Sequence, residues 1–181
     1  MAKVAVVFHS GYGHTQRMAQ SVAQGAGAEL ITIDAEGNVP ESAWDTLAAA
    51  DAIIFGSPTY MGMASWQFKK FADASSKPWY VQAWKNKVFG GFTNSANVDG
   101  DKHSTLHYFM TLAMQHGGMW VGTGISFNNT KAAKRTDVNY MASNAGPVAQ
   151  TPGDASAEEM NAGDLETAFK YGERIAALAA R

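Results

Sequence analysis

The chain has no cysteine among its 181 residues, which excludes disulfides, iron–sulfur clusters and thiolate zinc sites. It lacks an apolar run of the roughly 18 residues that a membrane-spanning helix needs. It also lacks a dominant charge: 14 Lys and Arg against 16 Asp and Glu leave a net −2. There is therefore neither the basic patch that nucleic acid requires nor a strongly acidic face. Met1-Ala2-Lys3 leads directly into an apolar strand without a signal-peptide pattern. These absences predict a soluble, cytoplasmic chain with no membrane span and no nucleic-acid partner. Its length suits a single two-sided α/β domain over residues 1–181.

What is present is an alternation of buried strands and amphipathic helices. Lys3 to Phe8 reads as a strand, and Thr15 to Gly25 as a helix carrying Met18 and Val22 on one face, with Gly25 and Gly27 stopping it. Glu29 to Ile33 is a second strand, 34–40 is turn-rich, and Ser42 to Ala50 is a short helix capped by Ser42. Asp51 to Gly56 is a third strand, which Ser57-Pro58 should end, because proline forbids further ladder pairing. Ala64 to Ser75 fits an amphipathic helix, Pro78 to Asn86 an aromatic-rich loop, and Lys87 to Thr93 a fourth strand. A helix over Lys102 to His116 and a short strand Gly118 to Gly122 follow. The stretch 123–155 shows little regular pattern, and loops of that length in a compact domain tend to be functional. Ser156-Ala157-Glu158-Glu159 has the form of a capping box ahead of a terminal helix marked by Leu165, Phe169, Ile175 and Leu178.

Strands alternating with helices predict a doubly wound, five-stranded parallel sheet with helices on both faces and the order 2-1-3-4-5. Such sheets bind ligands beyond the carboxyl ends of their strands. Three polar loops fall at that edge. His9-Ser10-Gly11-Tyr12-Gly13-His14-Thr15 follows the first strand and opens a helix, so its amides and the helix dipole converge on one point, where a phosphate would sit. Ser10, Tyr12 and Thr15 add hydroxyls. The loop has no P-loop lysine and no dinucleotide glycine spacing. Gly56 to Gly62 follows the third strand, and Thr93 to Asp101 the fourth, rich in small polar groups.

Each conspicuous side chain has a plain reading beside the functional one. His14 caps a helix or faces a ligand, and Tyr12 is a surface aromatic or a ring contact. His116 is a C-terminal capping histidine favoured by the dipole or an active-site donor. His103 and His107 lie i,i+4, but no carboxylate or cysteine completes a metal site, so a solvated helix face is expected and no metal. Trp79 and Trp84 pack a loop or an interface, or reach the pocket. Trp44, Trp66, Phe68 and Phe71 are most simply core or interface residues.

Together the three loops resemble those of the flavodoxin-like FMN proteins, in particular the WrbA-type NAD(P)H:quinone oxidoreductases, over nearly the whole chain. In that family a Tyr-Gly-His turn holds the FMN phosphate, which implies the same role for Ser10, Gly11, Tyr12, Gly13, His14 and Thr15. The family's Gly-Thr-Pro-Thr-Arg-Phe-Gly loop is similar to Gly56–Gly62 and implies that Pro58, Thr59, Tyr60, Met61 and Gly62 lie beside the isoalloxazine. Its loop after the fourth strand corresponds to Thr93, Asn94, Ser95, Ala96, Asn97 and Asp99. Its Ala-His-His-Gly-Met histidine is like His116, and its active-site tryptophan like Trp79, which with Tyr12 would complete the catalytic set. The departures are Tyr60-Met61 for Arg-Phe, Asn97-Val98-Asp99 where the family is glycine-rich, a shorter segment after strand two, and only Asn139-Tyr140 left of a Pro-Tyr-Gly spacing.

The resemblance implies FMN as cofactor, NAD(P)H as co-substrate, a quinone-like acceptor reduced by two electrons in ping-pong fashion, and a homo-oligomer, dimer or tetramer. The alternatives are a flavodoxin-like electron carrier, against which the weak net charge speaks, and a non-catalytic regulatory module. The last would need clustered aspartates at the strand ends, where this chain has Phe8-His9-Ser10 and Ser57-Pro58-Thr59.

Overall fold

A computed structural model describes residues 2–181. Strand β1 (Val4–His9) lies between β2 (Glu29–Ile33) and β3 (Ala52–Tyr60), and β5 (Val88–Ser95) flanks β3 on its other side; all of these pairings are parallel. The fifth position is shared by two short strands, β6 (Met119–Trp120) and β7 (Val148–Gln150), each parallel to β5. Without the small hairpin strand β4 (Met63–Ala64), which pairs antiparallel with β3, the order is the expected 2-1-3-4-5.

Alternation along the strands divides the core. Val4, Val6 and Phe8 of β1 join Met18 and Val22 of α1 (His14–Ala26) and Tyr171 and Ile175 of α6 (Ala162–Ala179). Ala5 and Val7 face the other way, into a cluster with Leu47 of α2 (Ser42–Ala49), Phe68 and Phe71 of α3 (Trp66–Ala74), and Leu106 and Phe109 of α5 (Lys102–Gln115). Both faces of the central strands are thus sealed from water, while the edge strand β2 keeps Leu30 and Thr32 exposed, and the ends of the central strands remain for a ligand.

Several local expectations are corrected. Gly25 does not end α1; the helix runs to Ala26 and closes at Gly27, in the left-handed region at φ 60°. Gly25 instead packs α1 on α6: a Cβ there would meet the Phe169 carbonyl oxygen at 2.0 Å. Ser42 is the first helical residue of α2 and makes no capping bond. Pro58 does not end β3. The β1 pairing stops at Gly56 while the β5 pairing continues to Pro58, so proline sits where the strand has one free edge and its missing N–H breaks no ladder.

The aromatic loop begins with a short helix, α4 (Ser76–Tyr80). The Ser156–Glu159 capping box opens a single 3-10 turn, and α6 starts afresh at Asn161, whose side chain accepts from the Gly163 N–H. Of the aromatics expected in the core, Phe68 and Phe71 are buried and Trp44 stacks on Phe71 at 5.5 Å, whereas Trp66 is largely exposed. No helix among the described residues is long and apolar enough to cross a membrane.

Candidate functional site

The carboxyl ends of β1, β3 and β5 open into one cavity of about 440 Å³. At its first wall, β1 ends in the loop that starts α1. The Ser10 hydroxyl oxygen accepts the N–H groups of Gly13 and Gln16, both at 3.1 Å, which leaves its own hydrogen to donate outward. The N-cap residue, Gly13, has no side chain to offer, and among the described residues the N–H groups of Tyr12, His14 and Thr15 have no acceptor. Unpaired amides at the positive end of a helix dipole form an anion site that needs no lysine. His14 is buried, and its Nε2–H donates to the Ala155 carbonyl at 2.7 Å, tying this loop to the segment before α6.

The second wall is the β3–β4 hairpin. Met61 and Gly62 both have positive φ, as a two-residue turn matched to strand twist requires. Met61 is wholly exposed, while Tyr60 leans across to the first loop and meets Tyr12 edge-on, with ring centroids 6.3 Å apart. Burial, with Tyr12 adding to it, raises the Tyr60 hydroxyl above its ordinary pKa.

Behind the hairpin, the Thr59 hydroxyl lies 2.8 Å from those of both Thr93 and Thr105. The Ser65 hydroxyl caps α3 by accepting from Phe68 and meets His9 Nδ1 at 2.9 Å. Burial lowers the His9 pKa, which favours the neutral ring, and the ring shares one hydrogen bond with the Ser65 hydroxyl.

The third wall is the loop after β5, where four successive carbonyls are held from within. Ser95 O accepts the Thr151 N–H, Ala96 O the Gln150 side chain, and Asn97 O and Val98 O the ammonium of Lys102. The N–H groups of residues 96–99 have no acceptor among the described residues. Sequence reasoning passed over Lys102, Thr151 and Gly153; the last two line the cavity. A lone lysine at a helix start and a short strand in an irregular stretch carry no local signal of this role.

Of the site residues expected from sequence, Tyr12, His14, Thr15, Pro58 to Gly62 and Asn94 to Asn97 line the cavity together. Ser10, Gly11 and Gly13 shape the loop beside it, Thr93 stands behind Thr59, and Asp99 lies outside the lining.

The chain does not bring His116 and Trp79 there. Helix α5 starts at the carboxyl edge of the sheet and runs back along it, so His116, just past its end, is about 20 Å away at the amino edge. His116 is buried against Trp84, with ring centroids 4.3 Å apart. Ser75 spends its hydroxyl hydrogen on the Ala72 carbonyl, so its oxygen accepts the His116 Nε2–H at 2.9 Å. Burial pushes the His116 pKa down to about 4. Trp79, half-exposed on α4, borders a separate cavity of about 260 Å³ beside His116. His103 and His107 stack in parallel on α5 at 6.5 Å, and the described residues hold no group of three or more metal-ligating side chains.

The sequence profile described as NADPH-dependent FMN reductase matches residues 9–133. A protein of Pseudomonas aeruginosa named flavodoxin FldP is 54% identical over 97% of this chain and 96% of its own length. An NAD(P)H dehydrogenase (quinone) of Geotalea uraniireducens is 32% identical over 99% of this chain and 98% of its own. The crystal structure of a WrbA-like flavodoxin from Agrobacterium tumefaciens, 54% identical, superposes with a TM-score of 0.82 over 99% of this chain and 98% of that one.

Proposed function

The chain belongs to the NADPH-dependent FMN reductase family, and on that footing we propose that it is an FMN-dependent oxidoreductase drawing electrons from NAD(P)H to reduce a quinone-like acceptor. Donor and acceptor would visit the one pocket in turn. The observation that carries this reading is the convergence of two sets of acceptor-less amides, those of Tyr12, His14 and Thr15 and those of residues 96–99, on a cavity within the size range of cofactor sites.

FMN fits these groups, since it joins a phosphate that amides and hydroxyls can hold to a flat ring edged with hydrogen-bond acceptors. When bound, FMN would supply the hydride chemistry that links a nicotinamide donor to a quinone acceptor. Ser10, Thr15 and the amides of the first loop hold the phosphate. Pro58 to Gly62 flank the ring and, with Tyr12, keep water from it. Asn94 to Asn97 and Asp99 bring the third loop to its polar edge. The raised Tyr60 hydroxyl stays protonated near neutrality, so it acts there only as a neutral hydrogen-bonding group. FMN-loaded protein should oxidise NADH or NADPH with benzoquinone above a buffer control; no turnover with either donor would sink the enzyme.

A second reading, an electron carrier, is favoured by the relative named a flavodoxin. A reductive titration separates the two: one two-electron step supports the enzyme, two resolved one-electron steps the carrier.

The roles of His116 and Trp79 form part of the same proposal only if a second copy of the chain brings its amino edge to this pocket. Exposed Tyr12, Met61, Met63 and Trp66 near one end, and Trp79, Tyr80, Val81 and Met114 near the other, offer apolar surface for such a homo-oligomer. Light scattering that finds a monomer at micromolar concentration would remove both residues from the catalytic set.

A further inference from the structure

Lys102 breaks two local rules at once. It is a cation in the first turn of a helix, where the dipole disfavours positive charge, and it is only 3% exposed. Features that violate local rules tend to sit at functional sites. Its ammonium has three hydrogens and uses all of them, on Ser95 Oγ at 3.0 Å, Asn97 O at 2.7 Å and Val98 O at 2.8 Å. No donor is left for a ligand, so whatever Lys102 does at the site passes through the loop or through its charge.

The loop consequence follows from peptide geometry. In a trans peptide the N–H points opposite to the C=O. Carbonyls of Asn97 and Val98 turned inward to Nζ therefore turn the amides of Val98 and Asp99 outward, continuing the run begun at Ala96 and Asn97. The charge consequence follows from the neighbours. Asp164 is taken by Arg135 in a two-point ion pair, and Asp99 is exposed to water, which screens it. Lys102 remains as the buried positive charge behind this wall of the cavity.

We propose that Lys102 is the positioning residue of the third loop and sets the charge preference of the site: its ammonium orients the amides of Val98 and Asp99 and favours negatively charged reduced FMN over neutral oxidised FMN. This rests on the FMN reading above.

Lys102→Gln keeps an amide donor but removes the charge, and Lys102→Arg keeps the charge. Both are compared with wild type, after circular dichroism confirms folding, by FMN affinity from fluorescence quenching and by the two-electron midpoint potential from dye equilibration. The expected result for K102Q is a tenfold loss in the affinity of reduced relative to oxidised FMN, a potential about 30 mV more negative. K102R should hold the wild-type potential. A K102Q potential equal to wild type, or a K102R potential as low as that of K102Q, overturns the proposal. Wild-type protein that binds no FMN is a distinct result; it overturns the cofactor reading and this proposal with it.

Discussion

The hydroxyl of Tyr60 rests over Gly11, so close that a Cβ on that residue would lie 2.5 Å from the phenolic oxygen but 3.5 Å from the ring carbon that bears it. The first and second walls of the cavity therefore touch through this hydroxyl as well as through the Tyr12–Tyr60 ring edge. Gly11→Ala should drive Tyr60 off the loop and weaken FMN binding about tenfold, near 1.4 kcal/mol. In the double variant G11A/Y60F the offending oxygen is gone and the next contact is ordinary, so affinity should return toward that of Tyr60→Phe alone. Fluorescence-quenching titrations of the four proteins check this, and an equal loss with and without Y60F would show that Gly11 serves something other than Tyr60.

His116 gives the fold an acid-side weakness. Its pKa is about 4 when folded and near 6.5 in an open chain, so between those values the unfolded state binds the extra proton and stability rises with pH. The contribution is complete above about 6.5 and fades as pH falls toward 4, amounting to about 2 kcal/mol between pH 7.5 and 5. His9, whose pKa burial also lowers, adds in the same direction. Urea unfolding of His116→Phe at those two pH values should show a correspondingly smaller difference than wild type; an undiminished difference would mean that the ring titrates freely in the folded chain.

Much of this site was legible because the signals were local. An apolar run, a glycine-bearing polar loop and a 3.6-residue periodicity are complete within residues 3–25, and they pointed to the loop whose amides lack acceptors at the start of α1. Gly25 and Pro58 misled for one shared reason: each obeys its tertiary partners, Phe169 across a helix crossing and Asn94 across a ladder, rather than its own propensity. Lys102 and β7 left no local trace at all, since their roles exist only once Asn97, Val98 and Ser95 are in place. His116 shows the opposite case, a short motif match that the direction of α5 carries to the far edge of the sheet within one chain, so that only a second copy could bring it to the pocket.

Asp164 is predicted to anchor the third wall from behind. It is 3% exposed, pairs with Arg135 through both carboxylate oxygens, and also accepts the Gln150 N–H at 3.1 Å. Gln150 in turn holds the Ala96 carbonyl at 2.8 Å. Asp164 is the buried member of this pair and Arg135 is part-exposed, so removing the carboxylate takes the acceptor from both the guanidinium and the Gln150 N–H, at a cost of about 3 kcal/mol. Asp164→Ala should therefore lower the melting temperature by roughly 6–12 °C, at about 2–4 °C per kcal/mol for a chain of this size. Hydrogen exchange at residues 96–99 should quicken as well; unchanged exchange there would separate Asp164 from the loop.

The fifth position of the sheet is broken midway. Between the β6 pairing at Val88 and Phe89 and the β7 pairing from Thr93, β5 has no strand beside it. Tyr171 reaches into that break: its hydroxyl accepts the Gly91 N–H at 3.2 Å and donates to Val121 O at 2.6 Å. One phenol thus replaces a missing rung, and burial raises its pKa so that it keeps its proton. Tyr171→Phe preserves the packing but strands a buried donor and a buried acceptor, for about 1–3 kcal/mol. The variant should unfold at lower urea with an unchanged slope and show faster exchange of the Gly91 amide. If stability falls while that amide stays protected, the ring rather than the hydroxyl holds the break closed.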